Sequence, residues 1–403
     1  MATAKKRAKK QAKRRPKSQA SMGPAPDVES FLELLSEVPD PRMERTRRHS
    51  LGSVLFLCLC GVVCGANDPV AVERFGNSRL AFLERFVEFP SGIPSHDTIG
   101  RVLAKLDPAP LEEMFAKWMH GVAMATDDGV IAIDGKVLRR AFEKASGGGF
   151  ITMVSAWSTA NGVVLGQVGT TDGSNEIEAV PRLLELLHLN GCLVTLDAAG
   201  CQTEIAEKVV EKGGDYLLAV RDNQPKLCQA ATAALDALRA RKRPPGRKQY
   251  AATTETKRGR KETRKCWILP IPEGFPEEVS ERWKGLAQLV LFESTRVVNG
   301  EESCGSRYFI SSRKTMTAEQ ALAAVRGHWQ IENKLHWVLD VAFREDDSRL
   351  RAENAAENFT IVRHAALNLL RNVKGSKVGI KNRRLEAGWS EPFLLKILSS
   401  GRN

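Results

Sequence analysis

The chain has 403 residues, 42% of them hydrophobic and 27% charged, and 60 Lys and Arg against 48 Asp and Glu give it a net charge of +12. This composition is typical of a soluble globular protein with two or three domains. Residues 1–17 hold nine basic and no acidic residues, and residues 239–265 hold twelve basic and two acidic residues. Subtracting +9 and +10 from +12 leaves −7 for the rest. Such localised basic segments favour nucleic acid as a partner.

Several functional classes are excluded by the cysteines and by the apolar runs. None of the eight cysteines forms a CxxC pair, so we expect reduced, buried cysteines of a cytosolic protein and no zinc site. The most apolar run, Leu51–Cys64, is too short to span a membrane. No secretory signal is recognised, because the basic segment at the start is not followed by an apolar stretch.

The first third of the chain is predicted to be helical. Residues 1–26 are basic and then rich in Ala, Pro and Gly, which predicts a disordered tail. Helical apolar periodicity follows over residues 27–126, and we expect an all-helical N-terminal domain there. Its main helices are predicted at Leu51–Cys64, Pro69–Phe86, His96–Leu106 and Pro110–Met124.

From residue 130 the pattern changes to short strands. Strands are predicted at Val130–Ile133, Ile151–Ala156, Val163–Val168, Cys192–Leu196 and Tyr216–Val220, with a glycine turn at Gly147–Gly149 and helices at Ile177–Leu189 and Thr203–Lys212. Three consecutive strands followed by alternating helices and strands is the order of a ribonuclease H-like core. The predicted fold is therefore α/β, with a mixed sheet and flanking helices, over residues 127–372.

An insertion interrupts this core at about residues 225–305. It is predicted to contain a helix, the basic segment and two strands, at Lys226–Ala240, Arg239–Lys265, Cys266–Leu269 and Leu286–Phe292. Tyr308–Ile310 then resumes the core. A capping box at Thr317 and Gln320 predicts the start of a long helix that runs through Glu332, and a second long helix is expected at Ala352–Asn372. Residues 373–403 are predicted to form a basic C-terminal tail.

Three acidic residues carry the chemical signal. Asp134 and Asp197 each follow an apolar strand, and Glu332 lies within the long helical pattern. Hard cations such as Mg²⁺ take carboxylate oxygens as ligands, and a pair of such ions stabilises the attacking and leaving oxygens of a displacement at phosphorus. The three acids therefore predict a two-metal site for phosphoryl transfer. His336 lies four residues and Asp340 eight residues after Glu332, so all three share one helix face if the helix continues. Asp340 or Asp346 is therefore the alternative third acid.

Four segments of the chain resemble one known family. They are Ala132-Ile133-Asp134-Gly135-Lys136, Ser174-Asn175-Glu176-Ile177, Asp197-Ala198 with the following Gly213-Gly214-Asp215-Tyr216, and His328-Trp329-Gln330-Ile331-Glu332-Asn333-Lys334-Leu335-His336-Trp337. Together they resemble the DDE transposases of bacterial insertion sequences of the ISAs type, which include the H-repeat-associated proteins of Rhs elements. The resemblance covers about residues 28–372, and its last segment is the most specific.

The resemblance implies a catalytic triad of Asp134, Asp197 and Glu332 that binds two Mg²⁺ ions, with Mn²⁺ as a substitute. It implies cleavage at the element's ends and transfer of the freed 3′-hydroxyl into target DNA. The expected partners are the terminal inverted repeats, target DNA and further copies of this chain in a dimer or larger synaptic assembly, with no membrane. The expected location is the bacterial cytoplasm, in association with the nucleoid.

Several polar residues are candidates for contacting DNA. Lys136 and Arg139 follow the first acid, Asn223 and Gln224 follow the last core strand, and Asn175 and Glu176 either cap a helix or line the site. The remaining candidates lie in the basic segment and near Glu332: Lys257, Arg258, Arg260, Lys261, Arg326, His328 and Lys334. In the broader superfamily a Tyr, an Arg and a Lys occupy the offsets that hold Val325, His328 and Leu339 here. The residue that grips phosphate is therefore left open between Lys334, Arg326 and Arg344.

Two rival functions remain open from the sequence. One is a domesticated or decayed relative that binds DNA without cutting it. The other is a plain metal-dependent nuclease of the same fold, which would cleave DNA without strand transfer. A phosphatase or other hydrolase is disfavoured, because no GxSxG or CxxxxxR motif is present and the basic clusters would be unexplained.

Overall fold

The computed structural model describes residues 27–124, 129–140, 150–170, 176–241, 246 and 248–399. Some sequence predictions lie outside these residues: the disordered tail at 1–26, the glycine turn at Gly147–Gly149, Asn175 and the last four residues. No helix within the described ranges is long and apolar enough to cross a membrane.

The N-terminal part is helical, as predicted. Its helices are α1 (Val28–Leu35), α2 (Leu51–Val63), α3 (Pro69–Leu83), α4 (His96–Lys105) and α5 (Pro108–Met124). Four of them have an N-cap residue whose side chain accepts a hydrogen bond from an amide of the first turn. These residues are Asp27, Ser50, Asp68 and Ser95. These caps satisfy amides that have no partner within the helix. Helix α2 is buried almost throughout, which explains its unbroken apolar sequence.

One nine-stranded mixed sheet forms the body of the protein. Its strands are β1 (Val130–Val137), β2 (Thr152–Ser158), β3 (Val163–Thr170), β4 (Leu193–Leu196), β5 (Asp215–Val220), β6 (Tyr250–Lys257), β7 (Arg260–Pro270), β8 (Gln288–Val298) and β9 (Glu301–Ser311). Their spatial order is β3-β2-β1-β4-β5-β9-β8-β7-β6. The first three strands are antiparallel, and β4 and β5 run parallel to β1. The ribonuclease H-like strand order predicted from the sequence is thus confirmed.

The predicted insertion extends this sheet instead of forming a separate sheet. Strand β9 pairs with β5 only through residues 308–311, and β8, β7 and β6 follow as successive antiparallel hairpin strands. Two-residue turns with positive φ, at Arg258-Gly259 and Asn299-Gly300, join the hairpins. Strand β6 was missed in the sequence because Thr, Glu and Lys fill most of it and its outer half is exposed. Beyond the residues of β9 that pair with β5, the four strands continue as residues 251–257, 260–266, 292–298 and 301–307. We call these residues the β-arm.

Nine further helices follow β3 within the described ranges, most of them packed on the sheet or on α12. They are α6 (Glu176–Leu186), α7 (Thr203–Glu211), α8 (Pro225–Arg239), α9 (Glu277–Ser280), α10 (Ala318–His328), α11 (Trp337–Phe343), α12 (Ala355–Asn372), α13 (Ile380–Trp389) and α14 (Glu391–Leu398). The capping box predicted at Thr317 and Gln320 is present at the start of α10. The helix predicted to run through Glu332 is interrupted: α10 ends at His328, and a π-helical turn at Glu332–His336 precedes α11.

Helix α12 joins the helical part to the sheet. It is buried from Ala355 to Leu370, including polar residues that bond outward in two directions. Asn358 donates to the carbonyls of Leu103 and Leu106 at the end of α4, whereas Asn368 donates to the carbonyl of Val164 in β3. Buried amides of this kind are stabilising only when their partners are in place, so these bonds specify how the two parts meet.

The predicted basic C-terminal tail, residues 373–403, contains the two packed helices α13 and α14. Arg384 of α13 is buried, donates to the carbonyls of Val62 in α2 and Ala66 just after it, and stacks on the ring of Phe343 at 4.2 Å. A planar guanidinium suits such a site because it can donate in several directions while stacking. A basic residue that the sequence pattern assigned to a tail therefore anchors the chain's last helices.

Two buried carboxyls face each other where α5, α12 and β3 meet. Glu112 and Glu357 are hydrogen-bonded to each other, and Glu112 also accepts from the amide of Gly169 at 2.9 Å. A side chain at Gly169 would collide with the Glu357 carboxyl. Burial, together with the charge of Glu357, raises the pKa of Glu112 to about 8. The pair therefore holds a proton at neutral pH.

This pair predicts a pH-dependent stability. The folded chain retains on Glu112 a proton that the unfolded chain releases above its ordinary pKa, so stability should fall as pH rises from about 5 to about 8. Glu112→Gln should remove this part of the slope, which amounts to at most about 1.4 kcal/mol per pH unit. Urea unfolding at several pH values would measure it. Glu113→Gln, at the exposed neighbour, is the control, and parallel profiles for wild type and Glu112→Gln would contradict the assignment.

Candidate active site

Asp134 lies on β1, and Asp197 directly follows the neighbouring parallel strand β4. Val130 pairs with Leu193, and Ala132 with Thr195, and the same offset of 63 residues aligns Asp134 with Asp197 just beyond the paired residues. Strand β1 does not end at Asp134, as the sequence suggested, because its pairing with β2 continues to Val137. Asp197 does end its strand and lies at the carboxyl edge, where α/β sheets place their active sites.

The side chain of Asp197 caps its own turn. Its Oδ1 accepts from the amides of Ala199 and Gly200, at 3.0 and 3.2 Å. A cavity of about 320 Å³ opens beside it and is also lined by Arg221, His328 and other residues. Asp197 is thus exposed at the mouth of a recess and keeps its second carboxylate oxygen, Oδ2, for another ligand.

Glu332 and Asp134 meet at an imidazole. The Nδ1 atom of His336 lies 3.1 Å from Oε2 of Glu332 and 3.6 Å from Oδ2 of Asp134. One ligand atom from each of these residues lies within 4.8 Å of the others, the only such cluster of three among the described residues. Glu332 is 71% exposed, whereas His336 is 5% exposed. The imidazole therefore positions an otherwise solvated carboxylate beside Asp134.

The π-helical turn decides which way these side chains point. The amide of Trp337 donates to the carbonyl of Glu332, five residues earlier, instead of four. Such a turn inserts a residue into the helix and is frequent at functional sites. It keeps Glu332 and His336 in contact while changing the rotation of everything after it. The sequence signal for His336 was its spacing of four residues from Glu332, but its contact with Asp134 was not foreseen.

A fourth acid lies beside the first strand. The amide of Gly135 donates to the carboxylate of Glu176, and a Cβ added at Gly135 would lie 2.2 Å from Oε1 of Glu176. This explains the glycine after Asp134. Sequence reasoning left Glu176 between capping a helix and lining the site, and the structure places its carboxylate next to Asp134 and Asp197.

Crowding of these acids changes their protonation. Burial, followed by the charges of Glu176 and Asp197, raises the pKa of Asp134 to about 7. Burial and Asp197 also raise the pKa of Glu176. Carboxylates that repel one another bind a proton or a cation to relieve the repulsion. Because the available ligand atoms are mainly carboxylate oxygens, the residues fit a hard divalent cation such as Mg²⁺.

Lys136 has a different environment from the one expected of a phosphate-binding residue. Its Nζ lies 2.6 Å from Asp340, 2.8 Å from Glu345 and 3.1 Å from Asp346, and its side chain is 11% exposed. Burial alone would lower the pKa of Lys136, but the charges of Glu345 and Asp340 outweigh it and raise the pKa. The ammonium therefore neutralises a carboxylate cluster, a role that leaves it poorly placed for DNA.

The same cluster bears on the choice of the third acid. Asp340 and Asp346, the alternatives left open by the sequence, both bond to Lys136 instead of facing Asp134. Glu332 is the helical acid that shares the imidazole of His336 with Asp134. The geometry thus favours Glu332 over the two aspartates.

The four basic candidates of the insertion lie together at one tip of the β-arm. Lys257 and Arg260 are paired across the turn formed by Arg258 and Gly259, and Lys261 follows in β7. All four basic side chains are exposed, and Arg260 also pairs with Glu262 at 3.0 Å. The structure therefore concentrates positive charge on a protruding hairpin.

Two polar candidates hold the loop after Asp197. Asn223 donates to the carbonyl of Ala198 at 2.7 Å, and Gln224 donates to that of Cys201 at 3.0 Å. These bonds fix the loop that carries the second acid. Both residues thus lie at the predicted edge of the sheet, and their side-chain amides already donate hydrogen bonds within the protein.

The candidates near Glu332 are dispersed. Arg326 bonds to Glu255 of β6 at 2.9 Å, and His328 shares a hydrogen bond of 3.0 Å with Thr195. Burial lowers the pKa of His328. Lys334 is exposed on the π-helical turn, and Arg139 is 76% exposed and lies 3.4 Å from Asp346. Of these candidates, Lys334 and Arg139 are the most exposed.

Two tryptophans flank this region in different ways. Trp329 packs against Phe292 and under the guanidinium of Arg307, at 4.5 Å from its ring centre. This agrees with the core role that its residue type favours. Trp337, by contrast, is 59% exposed directly after the π-helical turn.

The raised pKa of Asp134 predicts that metal binding depends on pH. Below about pH 7 a proton on Asp134 competes with the cation, so affinity for Mg²⁺ should fall by up to about tenfold per pH unit. Calorimetry in buffers of different ionisation enthalpy should show proton release near pH 6 and little at pH 8.5. Asp134→Asn should lose both the release and the pH dependence. An affinity that stays constant from pH 5.5 to 7 would refute this reading.

The lysine cluster predicts a large effect on stability. Lys136→Met leaves Glu345, which is 1% exposed, without its nearest cation, so the free energy of unfolding should fall by about 3–5 kcal/mol. Lys226→Met is the matched control, because Lys226 and Glu278 form a pair that is about three-quarters exposed. Chemical denaturation would measure both. Similar small losses in the two variants would mean that the cluster does not depend on Lys136.

Comparison with known proteins connects this geometry to a family. The family described as "Transposase DDE domain" matches residues 125–369, and the family described as "DDE_Tnp_1-associated" matches residues 32–119. The "Putative transposase YncI" of Escherichia coli O157:H7 is 41% identical over 93% of this chain and 95% of that protein. The "H repeat-associated putative transposase YhhI" of Escherichia coli (strain K12) is 39% identical over 93% of this chain and 98% of that protein.

Among solved structures, the piggyBac transposase synaptic complex with hairpin DNA is similar over 93% of this chain and 82% of that chain, with 13% sequence identity and a TM-score of 0.44. The family matches span the helical part, the sheet with Asp134 and Asp197 at its strands, and the π-helical turn that carries Glu332. The chain therefore belongs to the DDE transposase family, together with its associated N-terminal domain.

Proposed function

We propose that this transposase cleaves DNA at the ends of a bacterial insertion sequence and joins the freed 3′-hydroxyl to target DNA. The reaction requires Mg²⁺, with two ions at the site and Mn²⁺ as a substitute. The observation that carries this proposal is the meeting of Asp134 and Glu332 at His336, beside the strand that ends at Asp197.

The proposed metal ligands are Asp134, Asp197 and Glu332. Asp134 and Asp197 come from adjacent strands of a rigid sheet, while His336 restrains the exposed Glu332. Divalent cations held by these carboxylates would supply a Lewis acid for displacement at phosphorus. The protein's part is to hold the carboxylates at a fixed spacing, and Gly135 contributes by leaving room for Glu176.

Each chemical step exchanges one bond at phosphorus for another. In cleavage, a water oxygen attacks a phosphodiester at the element's end, and the 3′ oxygen leaves and takes up a proton. In strand transfer, that 3′-hydroxyl attacks a target phosphodiester, loses its proton and displaces a second 3′ oxygen. Both are in-line displacements, for which positioning and charge stabilisation provide most of the catalysis.

The basic tip of the β-arm supports DNA as the substrate. Lys257, Arg258, Arg260 and Lys261 present positive charge on a hairpin that continues the catalytic sheet. Such residues contact phosphates, which gives affinity without reading sequence. Lys334, Arg139 and Arg344 are further candidates for phosphate near Glu332, and Asn223 and Gln224 for the loop that follows Asp197.

We assign the helical domain to residues 27–126 and the catalytic domain to residues 127–372, with the insertion at about 225–305 and the C-terminal segment at 373–403. The helical domain contacts the terminal repeats or a second subunit. Since two element ends must be joined in one reaction, the active form is a dimer or a larger assembly. The enzyme acts in the bacterial cytoplasm on DNA of the nucleoid.

The test is cleavage and strand transfer on labelled DNA that carries both ends of the chain's own element, with Mg²⁺. Asp134→Asn, Asp197→Asn and Glu332→Gln should each lower both rates at least about 100-fold, the scale of removing one key electrostatic contact to a transition state. All three should still bind the DNA. Glu278→Gln, at an exposed acid on α9, should retain activity.

The rival functions predict different results. If wild type binds the ends but never cuts them, the chain is a DNA-binding relative without cleavage. If it cuts but never joins, and has no preference for paired ends, it is a nuclease. Loss of activity in Asp340→Asn, with retention in Glu332→Gln, would move the third ligand to Asp340.

A further inference from the structure

A basic groove lies on the helical domain, outside the acidic site. It runs between α4 and the segment before α2 and encloses about 710 Å³. Its charged and hydroxyl-bearing walls include Arg42, Arg48, His49, Thr98, Arg101 and Lys105. No acidic side chain lines it within the part of the chain that the structure describes.

One wall of the groove is fixed by an internal ion pair. Arg42 pairs with Asp40 at 2.7 Å and donates to the carbonyl of His49 at 2.9 Å. Burial, then the charges of Arg42 and Arg48, lowers the pKa of His49. The Nδ1 atom of His49 is buried and has no hydrogen-bond partner. This wall is therefore ordered and lies in a positive potential.

The other cations of the groove remain without acidic partners. Arg48, Arg101 and Lys105 take part in none of the ion pairs formed between described residues, and all three side chains are exposed. Arg101 is instead held on α4 through a bond of 3.2 Å from its Nε to the carbonyl of Asp97. A concave surface with unpaired cations and no acid attracts anions.

The length of the polar stripe along α4 indicates a polymer more than a single ion. Thr98, Arg101 and Lys105 are spaced by three and four residues and so share one face of α4. At 1.5 Å per residue this stripe is about 10 Å long. One DNA strand carries a phosphate for every 3.4 Å or so of helix axis, so the stripe faces about three phosphates.

We propose that this groove binds the phosphate backbone of duplex DNA through Arg48, Arg101 and Lys105. It is a contact surface additional to the acidic site and to the β-arm, and it assigns a DNA-holding role to the associated N-terminal domain. The proposal rests on the proposed function only in that DNA is the ligand, because the groove's role does not require cleavage.

The test is the salt dependence of DNA binding by the full chain, measured by fluorescence anisotropy without divalent cations. Each phosphate contact contributes about −0.9 to the slope of log affinity against log salt concentration. The triple variant Arg48→Ala, Arg101→Ala, Lys105→Ala should bind more weakly, with a slope shallower by about 2–3. The matched control, Arg74→Ala, Arg85→Ala, Lys117→Ala, removes the same charge from exposed positions of the same domain outside the groove.

The conservative triple variant Arg48→Lys, Arg101→Lys, Lys105→Arg should keep most of the wild-type slope, which separates lost charge from lost folding. Equal slopes in the groove variant and its control would overturn the proposal. Binding is measured without Mg²⁺ and so does not depend on cleavage. A wild type that binds DNA here, but does not cut it in the separate assay with Mg²⁺, would refute the proposed function and leave the groove standing. A wild type that does not bind DNA would refute both.

Discussion

A buried ammonium surrounded by carboxylates is the interaction on which the site's geometry depends. Lys136, two residues after Asp134 in β1, bonds to Asp340, Glu345 and Asp346, which follow the π-helical turn. The strand that carries the first acid is thereby tied to the segment that carries Glu332. Desolvating such charges is costly, and the cost is offset only when every partner is present. The cluster thus specifies one arrangement of strand and helix, and it restrains Asp134 and Glu332 relative to each other before any cation binds.

Helix α12 extends this specification to the rest of the chain. Its Asn358 and Asn368 bond to opposite neighbours, and its Arg363 lies 3.9 Å from the buried Glu345 beneath the site. Glu112 and Glu357 can share a proton only when α5 and α12 are packed together. The helical part and the sheet are therefore packed as one unit, so that contacts made on the helical domain are at a defined position relative to the acidic site.

Charge is separated over this framework in a way that suits a polyanionic substrate. Carboxylates crowd at the end of β4, where they repel one another and favour a cation. Cations gather away from them, at the tip of the β-arm and in the groove along α4. A phosphate backbone is repelled by an acidic site unless metal ions neutralise it, and it is held by the basic surfaces. Substrate binding and metal binding would then depend on each other.

Local patterns were enough to place most strands and helices, the strand order of the core, and the three acids, because apolar periodicity and strand ends are properties of neighbouring residues. The missed features depend on residues far apart in sequence. Strand β6 has little apolar signal, and it forms because β7 supplies its hydrogen bonds. The sequence made Lys136 a candidate for contacting phosphate, but in the structure it bonds to Glu345, 209 residues later. The sequence by itself determined the fold class and the set of candidate acids. Only the tertiary structure decided that His336 lies between Asp134 and Glu332, since a π-helical turn and long-range ion pairs set that contact.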